Sequence, residues 1–458
     1  MSLMKAFPEI LDAGKREYEN MKAGRFFPAE ELLPTEGSSN GWKNLLALGE
    51  NGAFMKTLLQ DENMAGQIQM VYIDPPFFSK SSYDAVIRLE GAGEDGKALS
   101  LKHPAYEDVW EKGLEQYLVM LTARLLLIRD LLSDEGTIWV HMDWHASHYV
   151  RILLDEIFGT ERFLNEIIWT YKSGGSGKKH FSRKHDTVLV YSKTAHYYFQ
   201  PLKEKSYNRG LKPYRFKGVE EFQDETGWYT MVNMKDVWHI DMVGRTSSER
   251  TGYATQKPEA LLERILSCST REGDLCADFF CGSGTLAAAA QRMNRRWICC
   301  DSGRLAAEGT LKRVWSEGKV PAEVLFSSCV PEGFLDLQCS REGEEYHLTL
   351  TDYRPAARMM EDDWKTEDGT TTVKALREKD PLRLLDSWSL DLSFDGTVHR
   401  PSQKFLRDKK GQMETSLTIP VNAVTDGEHG EQAAISIAAT DVFGNRYRRI
   451  LRSDEGDL

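Results

Sequence analysis

The sequence predicts an α/β fold, a doubly wound and mostly parallel sheet, with a C-terminal β-rich domain behind it. Three observations carry this expectation. Short apolar runs alternate with amphipathic helical stretches from residue 45 to residue 314, the pattern of β-α-β units. Two of those runs, ending at Ile73 and at Asp278, lead straight into rigid or Gly-rich tips, where open α/β sheets bind their ligands. Beyond about residue 318 the character changes to alternating runs (346–350, 390–394, 434–438) between turn signals such as Asp395-Gly396. A chain of 458 residues exceeds one ordinary domain. We therefore divide it into an N-terminal helical extension (1–40), an α/β domain (41–317) with a basic region at 171–250, and a β-rich domain (318–458).

Taken in order, residues 4–34 read as one or two short helices, and Ser38-Ser39-Asn40-Gly41 as a break. A short strand (45–48) and a helix (53–59) precede the apolar strand Val71-Tyr72-Ile73. That strand runs into Asp74-Pro75-Pro76-Phe77-Phe78. Each proline fixes φ and removes an N–H, and the residue before a proline is pushed out of the α region, so the backbone here has little freedom. One carboxylate and its neighbouring carbonyls are thereby held still. Residues 79–101 are polar and Gly-rich, which predicts a loop over that tip. An amphipathic helix (114–132), a strand (137–142) ending at Asp143, a helix (146–158) and a strand (188–192) follow. His141, His145 and His148 invite a metal reading, but one sits on a strand, the others at a helix start, and no cysteine or carboxylate set matches them. We expect no metal.

Residues 200–243 lack periodicity, and a helix at 257–267 then leads to the strand ending at Asp278. Phe279-Phe280-Cys281-Gly282-Ser283-Gly284-Thr285 follows and opens an Ala-rich helix (285–293). Glycines there admit positive φ and close backbone approach, and the helix N-terminus adds partial positive charge. The next strand (297–300) ends at Asp301, where an acid grips ribose hydroxyls in nucleotide-binding folds. A helix at 303–314 closes the unit.

Composition narrows the class. The formal charge of −12 argues against nonspecific coating of nucleic acid. Between Tyr171 and Glu220, however, twelve Lys and Arg residues face three acids. Lys178, Lys179, Arg183, Lys184, Arg209, Lys212, Arg215 and Lys217, interleaved with aromatics such as Phe181, Tyr207, Tyr214 and Phe216, fit a surface that meets a phosphate backbone and unstacked bases. Arg446-Tyr447-Arg448-Arg449 is a weaker candidate for the same role, opposed by the acidic stretch Glu361-Asp362-Asp363. Seven cysteines with no Cys-x-x-Cys spacing predict reduced thiols, and no run reaches a membrane-helix length. A cytoplasmic protein without membrane contact is expected.

Together, Asp74-Pro75-Pro76-Phe77 and Asp278-Phe279-Phe280-Cys281-Gly282-Ser283-Gly284-Thr285 resemble the catalytic tetrapeptide and donor loop of the amino-methylating DNA methyltransferases. Catalytic motif first and donor loop last is the permuted order of the β group, to which modification subunits of type III restriction-modification systems belong. Residues 44–51, 137–143 and 256–262 extend the resemblance, which covers about 44–311. Phe279 stands where the family has Pro, and Glu50 where it has Asp. The resemblance implies a Rossmann-like fold using S-adenosyl-L-methionine. It assigns catalysis to Asp74, Pro75, Pro76 and Phe77, and donor binding to Asp278, Phe280, Gly282, Ser283, Gly284, Thr285 and Asp301, with Lys257, Pro258 and Glu50 bordering. The expected reaction is methylation of adenine N6 in double-stranded DNA, with a homodimer and a restriction subunit as partners. The alternatives are cytosine N4, adenine in RNA, and a DNA-binding scaffold without turnover; family members acting on cytosine usually carry Ser at position 74. On this reading, deleting 320–458 spares donor binding.

Overall fold

Strands joined by helical crossovers pair in parallel, and the greater part of this chain folds that way. The computed structural model describes residues 3–32, 41–89, 97–111, 113–172, 177–244, 247–318, 321–327, 333–356, 359, 364–367, 369–408, 410–424 and 434–452. In chain order, α1 (Leu3–Asn20), β1 (Phe27–Leu32), β2 (Asn44–Leu48), α2 (Asn51–Gln60) and β3 (Ile68–Ile73) come first. A hairpin of β4 (Ser82–Leu89) and β5 (Leu99–Glu107) precedes α3 (Gly113–Leu131), β6 (Leu132–Met142), α4 (Ser147–Phe158), β7 (Phe163–Thr170) and β8 (His185–Ser192). Next are β9 (Lys203–Tyr207), β10 (Phe222–Gln223), β11 (Trp228–Asn233), β12 (Val237–His239), α5 (Glu259–Ser269) and β13 (Leu275–Asp278). The α/β part closes with α6 (Thr285–Arg292), β14 (Arg296–Asp301), α7 (Arg304–Ser316) and β15 (Ala322–Phe326).

The main sheet has ten strands in the order β1-β15-β2-β14-β13-β3-β6-β8-β7-β12. From β15 to β6 every pairing is parallel; β8 is antiparallel to both β6 and β7, and β1 to β15. This is the doubly wound α/β class. Alternate residues of each central strand serve opposite faces. Val71, Ile73, Ile138, Val140 and Ala277 pack under the helix layer of α2, α3 and α4. Met70, Tyr72, Trp139 and Cys276 pack under α5, α6 and α7. The register pairs Met70 with Cys276 and Val71 with Ala277, so the tips of β3 and β13 end side by side.

Three sequence expectations change. The N-terminal segment supplies α1, whose Ala6 and Ile10 enter the core against α3, but also β1, an edge strand of the main sheet. β15 extends that sheet past residue 317. Residues 79–101, read as loop, instead hold the first strand and the start of the second strand of a two-stranded hairpin that pairs 82–89 with 99–107.

The C-terminal part holds β16 (Gly333–Glu342), β17 (Glu345–Arg354), α8 (Val373–Lys379), β18 (Leu385–Asp391), β19 (Gln403–Leu406), β20 (Ser416–Pro420), β21 (Ala434–Asp441) and β22 (Arg446–Arg452). Its seven strands order as β19-β18-β21-β22-β16-β17-β20. The acidic residues 361–363 lie outside the described residues. The hairpin's Leu89 and Leu101 are buried in this domain's core beside Leu335, Met359 and Phe443. Glu367 N–H donates to Ser100 O at 2.8 Å. Glu30 of β1, also buried, pairs with Lys404 at 3.1 Å and Arg446 at 2.5 Å. Arg446 therefore serves an internal ion pair, not a DNA surface.

These contacts correct the expectation for deleting 320–458. Such a cut removes β15 from the main sheet and uncovers Leu89 and Leu101, so it should yield aggregated protein in a solubility assay rather than a donor-binding core. The milder Leu101→Ala should cost about 3 kcal/mol in urea unfolding.

Candidate active site

A strand that ends in two prolines cannot continue its ladder, so β3 stops and Asp74 stands at the C-terminal edge of the sheet beside the loop that leaves β13. The turn after it depends on a buried carboxylate. Asp108, fully buried, accepts from Phe78 N–H at 3.0 Å, Ser79 N–H at 2.6 Å, Ser79 O–H at 2.7 Å and Trp110 Nε1–H at 3.1 Å. This holds Phe78 at φ 62°, a conformation costly for an aromatic residue. Phe77 stacks on His141, with ring centroids 5.9 Å apart and planes 23° apart. His141 is fixed in turn by Tyr72 O–H on Nδ1 at 2.8 Å and by Asp186 Oδ2 on Nε2 at 3.2 Å.

On the β13 side, Asp278 is buried and its Oδ1 accepts from Phe280 N–H at 2.9 Å. Burial, with Asp74 and Asp301 near, pushes its pKa well above the usual carboxylate range. Gly282 has φ 49°, and a Cβ there would come within 3.2 Å of the Tyr253 ring. Asp301, at the end of β14, accepts from Gly282 N–H and from Gly303 N–H, both at 2.8 Å. Its pKa is raised by burial despite those donors. Arg313 of α7 donates to Ser283 O at 3.2 Å and to Thr285 Oγ1 at 2.9 Å, and Thr285 O–H reaches Lys257 O at 3.2 Å. The Lys257-Pro258 turn is thereby tied to the start of α6.

Two adjoining cavities, of about 110 and 30 Å³, share Asp74, Tyr253, Thr255, Lys257, Phe280 and Gly282. The larger adds Pro75, Pro76, Phe77, Tyr106 and Asp301; the smaller adds Asp278, Ser283 and Thr285. Residues two hundred positions apart thus line one crevice. Lys257 Nζ forms an ion pair with Asp74 Oδ2. Asp74 Oδ1 is buried without a hydrogen-bond partner, an arrangement that costs free energy until a donor arrives.

Three expected residues lie outside both linings. Gly284, at φ 71°, starts α6, and a Cβ would strike Thr310 Oγ1 at 2.4 Å. Pro258 sits at the N-cap of α5. Glu50 caps α2 by accepting from Gly52 and Ala53 N–H, and pairs with Arg124 at 2.6 Å. Phe279 is fully buried, and its carbonyl accepts from Asn51 Nδ2 at 2.9 Å, so its side chain packs away from the crevice. The sequence reading missed Tyr106, Tyr253 and Asp108. Only Tyr253 had a nearby signal, four residues before Lys257.

The eight cations fall on two segments. Lys178, Lys179 and Arg183 are exposed and Lys184 half-buried just before β8. Arg183 stacks its guanidinium 3.7 Å from the ring of Trp144, which follows Asp143 at the tip of β6, next to β3. Arg209, Lys212, Arg215 and Lys217 are exposed beside the small β10-β11-β9 sheet. Glu221 organises that loop by accepting from Asn208 Nδ2 at 2.6 Å, Tyr214 N–H at 2.8 Å and Arg215 N–H at 2.7 Å.

A doubly wound sheet with a Gly-rich cradle facing an acid-Pro-Pro-aromatic tip has the form of an enzyme site at the carboxyl ends of the strands. The model of the DNA methylase family comprising N6 and N4 methyltransferases matches residues 68–311, more than half of the chain, and the chain belongs to that family. Members use S-adenosyl-L-methionine. Among similar curated proteins, the type II methyltransferase M.EcaI of Enterobacter cloacae is 28% identical over 67% of this chain and 75% of its own length. M2.DpnII of Streptococcus pneumoniae is 26% identical over 63% and 96%. Among solved structures, a putative DNA modification methylase of Thermus thermophilus complexed with S-adenosyl-L-methionine covers 62% of this chain and 99% of its own, with 16% identity and TM-score 0.39. The cytosine-N4-specific PvuII DNA methyltransferase covers 62% and 89%, with 15% identity and TM-score 0.39.

Asp108→Ala should release the Phe78–Ser79 turn. We expect a loss of about 3 kcal/mol in chemical unfolding and a fall in methyl transfer larger than any fall in donor affinity, measured by calorimetry.

Proposed function

We propose that this chain transfers the methyl group of S-adenosyl-L-methionine to adenine N6 in double-stranded DNA, as the modification component of a restriction-modification system. The observation that carries this reading is the buried, unpartnered Oδ1 of Asp74, a residue that lines the crevice shared by the β3 and β13 tips. A polar atom held there needs a donor, and an exocyclic amine brings two.

The residues present fit the donor. Gly282 admits close approach from the crevice side, Asp301 lines it at a strand end, and Asp278 and Ser283 border its inner part. Tyr253 lines both cavities. Bound there, S-adenosyl-L-methionine supplies an electrophilic methyl group on a sulfonium. The chain's own residues do the rest. An aromatic amine is a poor nucleophile because its lone pair is delocalised into the ring. Asp74 and the Pro75 carbonyl accept its two N–H hydrogens and draw the lone pair back onto nitrogen, and Asp74 takes the proton released after transfer. Phe77, backed by His141, offers a stacking face for a base turned out of the helix. The acid at position 74 favours adenine on the family pattern. Lys178, Lys179, Arg183 and Lys184, on the segment that stacks Arg183 over Trp144, and Arg209, Lys212, Arg215 and Lys217 beside the small sheet, meet the DNA backbone. A restriction subunit and a second copy of the chain are further partners of this reading.

Incubation with labelled donor and unmethylated genomic DNA, followed by digestion to nucleosides, should place the label in N6-methyladenine. Label in N4-methylcytosine would overturn the choice of base, and none at all would favour a scaffold. Asp74→Ala should lower transfer by roughly 10³-fold while donor affinity, read by calorimetry, changes little.

A further inference from the structure

Asp74 has two carboxylate oxygens in different situations. Oδ2 is paired with the Lys257 ammonium, whereas Oδ1 is buried with no partner. The Lys257 side chain is 9% exposed. Its ammonium also lies 3.4 Å from Thr255 O and 5.3 Å from the centroid of the Phe77 ring. The lysine therefore touches, or stands over, two parts of the acid-Pro-Pro-aromatic tip at once. Its backbone is fixed independently, because its carbonyl accepts from Thr285 O–H at the start of α6. Thr285 Oγ1 is held in turn by Arg313, which pairs with Glu259 at 2.5 Å.

We propose that Lys257 is a positioning residue for methyl transfer: it holds Oδ2 of Asp74 so that Oδ1 alone faces the incoming amine. This rests on the reading under "Proposed function". A carboxylate free to rotate about its Cβ–Cγ bond would present either oxygen, or neither, at the required angle, and misplacement of a catalytic group by a fraction of an ångström is expensive in rate. With one oxygen clamped, the amine meets a single acceptor in one orientation. The clamp reaches Asp74 from the turn that is tied to the donor helix, so the acceptor is set in the same frame as the donor loop. The ammonium is already engaged by Asp74 Oδ2 and Thr255 O, so Lys257 acts through Asp74. Lys257 also stands in the field of Asp186 and Asp278: behind His141, its charge helps hold the Asp186 carboxyl low, and at Asp278 it offsets only part of the burial that raises that carboxyl.

The test uses the full chain with Lys257→Met and Lys257→Arg. Donor affinity is measured by calorimetry, thermal stability by scanning, and single-turnover transfer at saturating donor and DNA. Lys257→Met should lose roughly 10²-fold in single-turnover rate with donor Kd nearly unchanged and some fall in Tm from the unpaired Asp74, and Lys257→Arg should restore Tm and recover at least a tenfold part of the lost rate. A donor Kd that weakens in step with the rate would make Lys257 a donor ligand and overturn the proposal. So would equal loss in both variants with a lowered Tm, which marks a structural role, or full rate in Lys257→Met. A wild type that transfers no methyl group overturns the underlying reading and this inference with it, whereas an active wild type with an undiminished Lys257→Met variant overturns the inference alone.

Discussion

Parallel pairing of β3 with β13 is the constraint on which the rest depends. Parallel neighbours end at the same edge of a sheet, so two segments two hundred residues apart deliver their tips to one crevice. The pairing is secured from both faces, by Val71 and Ala277 under one helix layer and by Met70 and Cys276 under the other. Polar groups then fix each tip. Asp108 holds the turn after the prolines, Asp301 holds the glycine loop, and the Lys257–Asp74 pair joins the two.

Much of this was legible because the chemistry is local in sequence. Prolines announce a strand end, glycines announce close backbone approach, and a strand-to-helix switch carries its own periodicity. Asp74, Phe77, Gly282 and Asp301 were accessible for that reason. The hairpin was not. Its strand from Ser82 to Leu89 buries only Ala85 and Leu89, and the other strand faces a domain two hundred and fifty residues downstream, so its polar residues read as loop. Tyr253 and Asp108 were missed because their roles exist only across elements. The capping role of Glu50 was not legible, because a family motif assigns a position whereas an N-cap is assigned by the N–H groups that point at it.

The α/β and β-rich parts meet through polar contacts among the described residues. Buried Glu30 meets Lys404 and Arg446, Lys312 meets Asp386, Arg304 meets Asn445, and Ser387 O–H donates to Glu308 at 3.0 Å. Charges withdrawn from water in this way are costly when one partner is lost, and so fix an orientation more than they add stability. The β-rich domain is built onto α7, β1 and the hairpin, three elements that also border the catalytic sheet.

The hairpin's double attachment orders events during synthesis. β5 ends at the residue before Asp108, the group that sets the turn after the catalytic prolines, yet its apolar side is covered only when residues near 335, 359 and 443 have emerged from the ribosome. Contacts that join residue 101 to residue 443 close a very long loop, and such closures come late. Until then Leu89 and Leu101 lack their apolar cover. The hairpin's buried face is therefore completed only with the last strands of the chain.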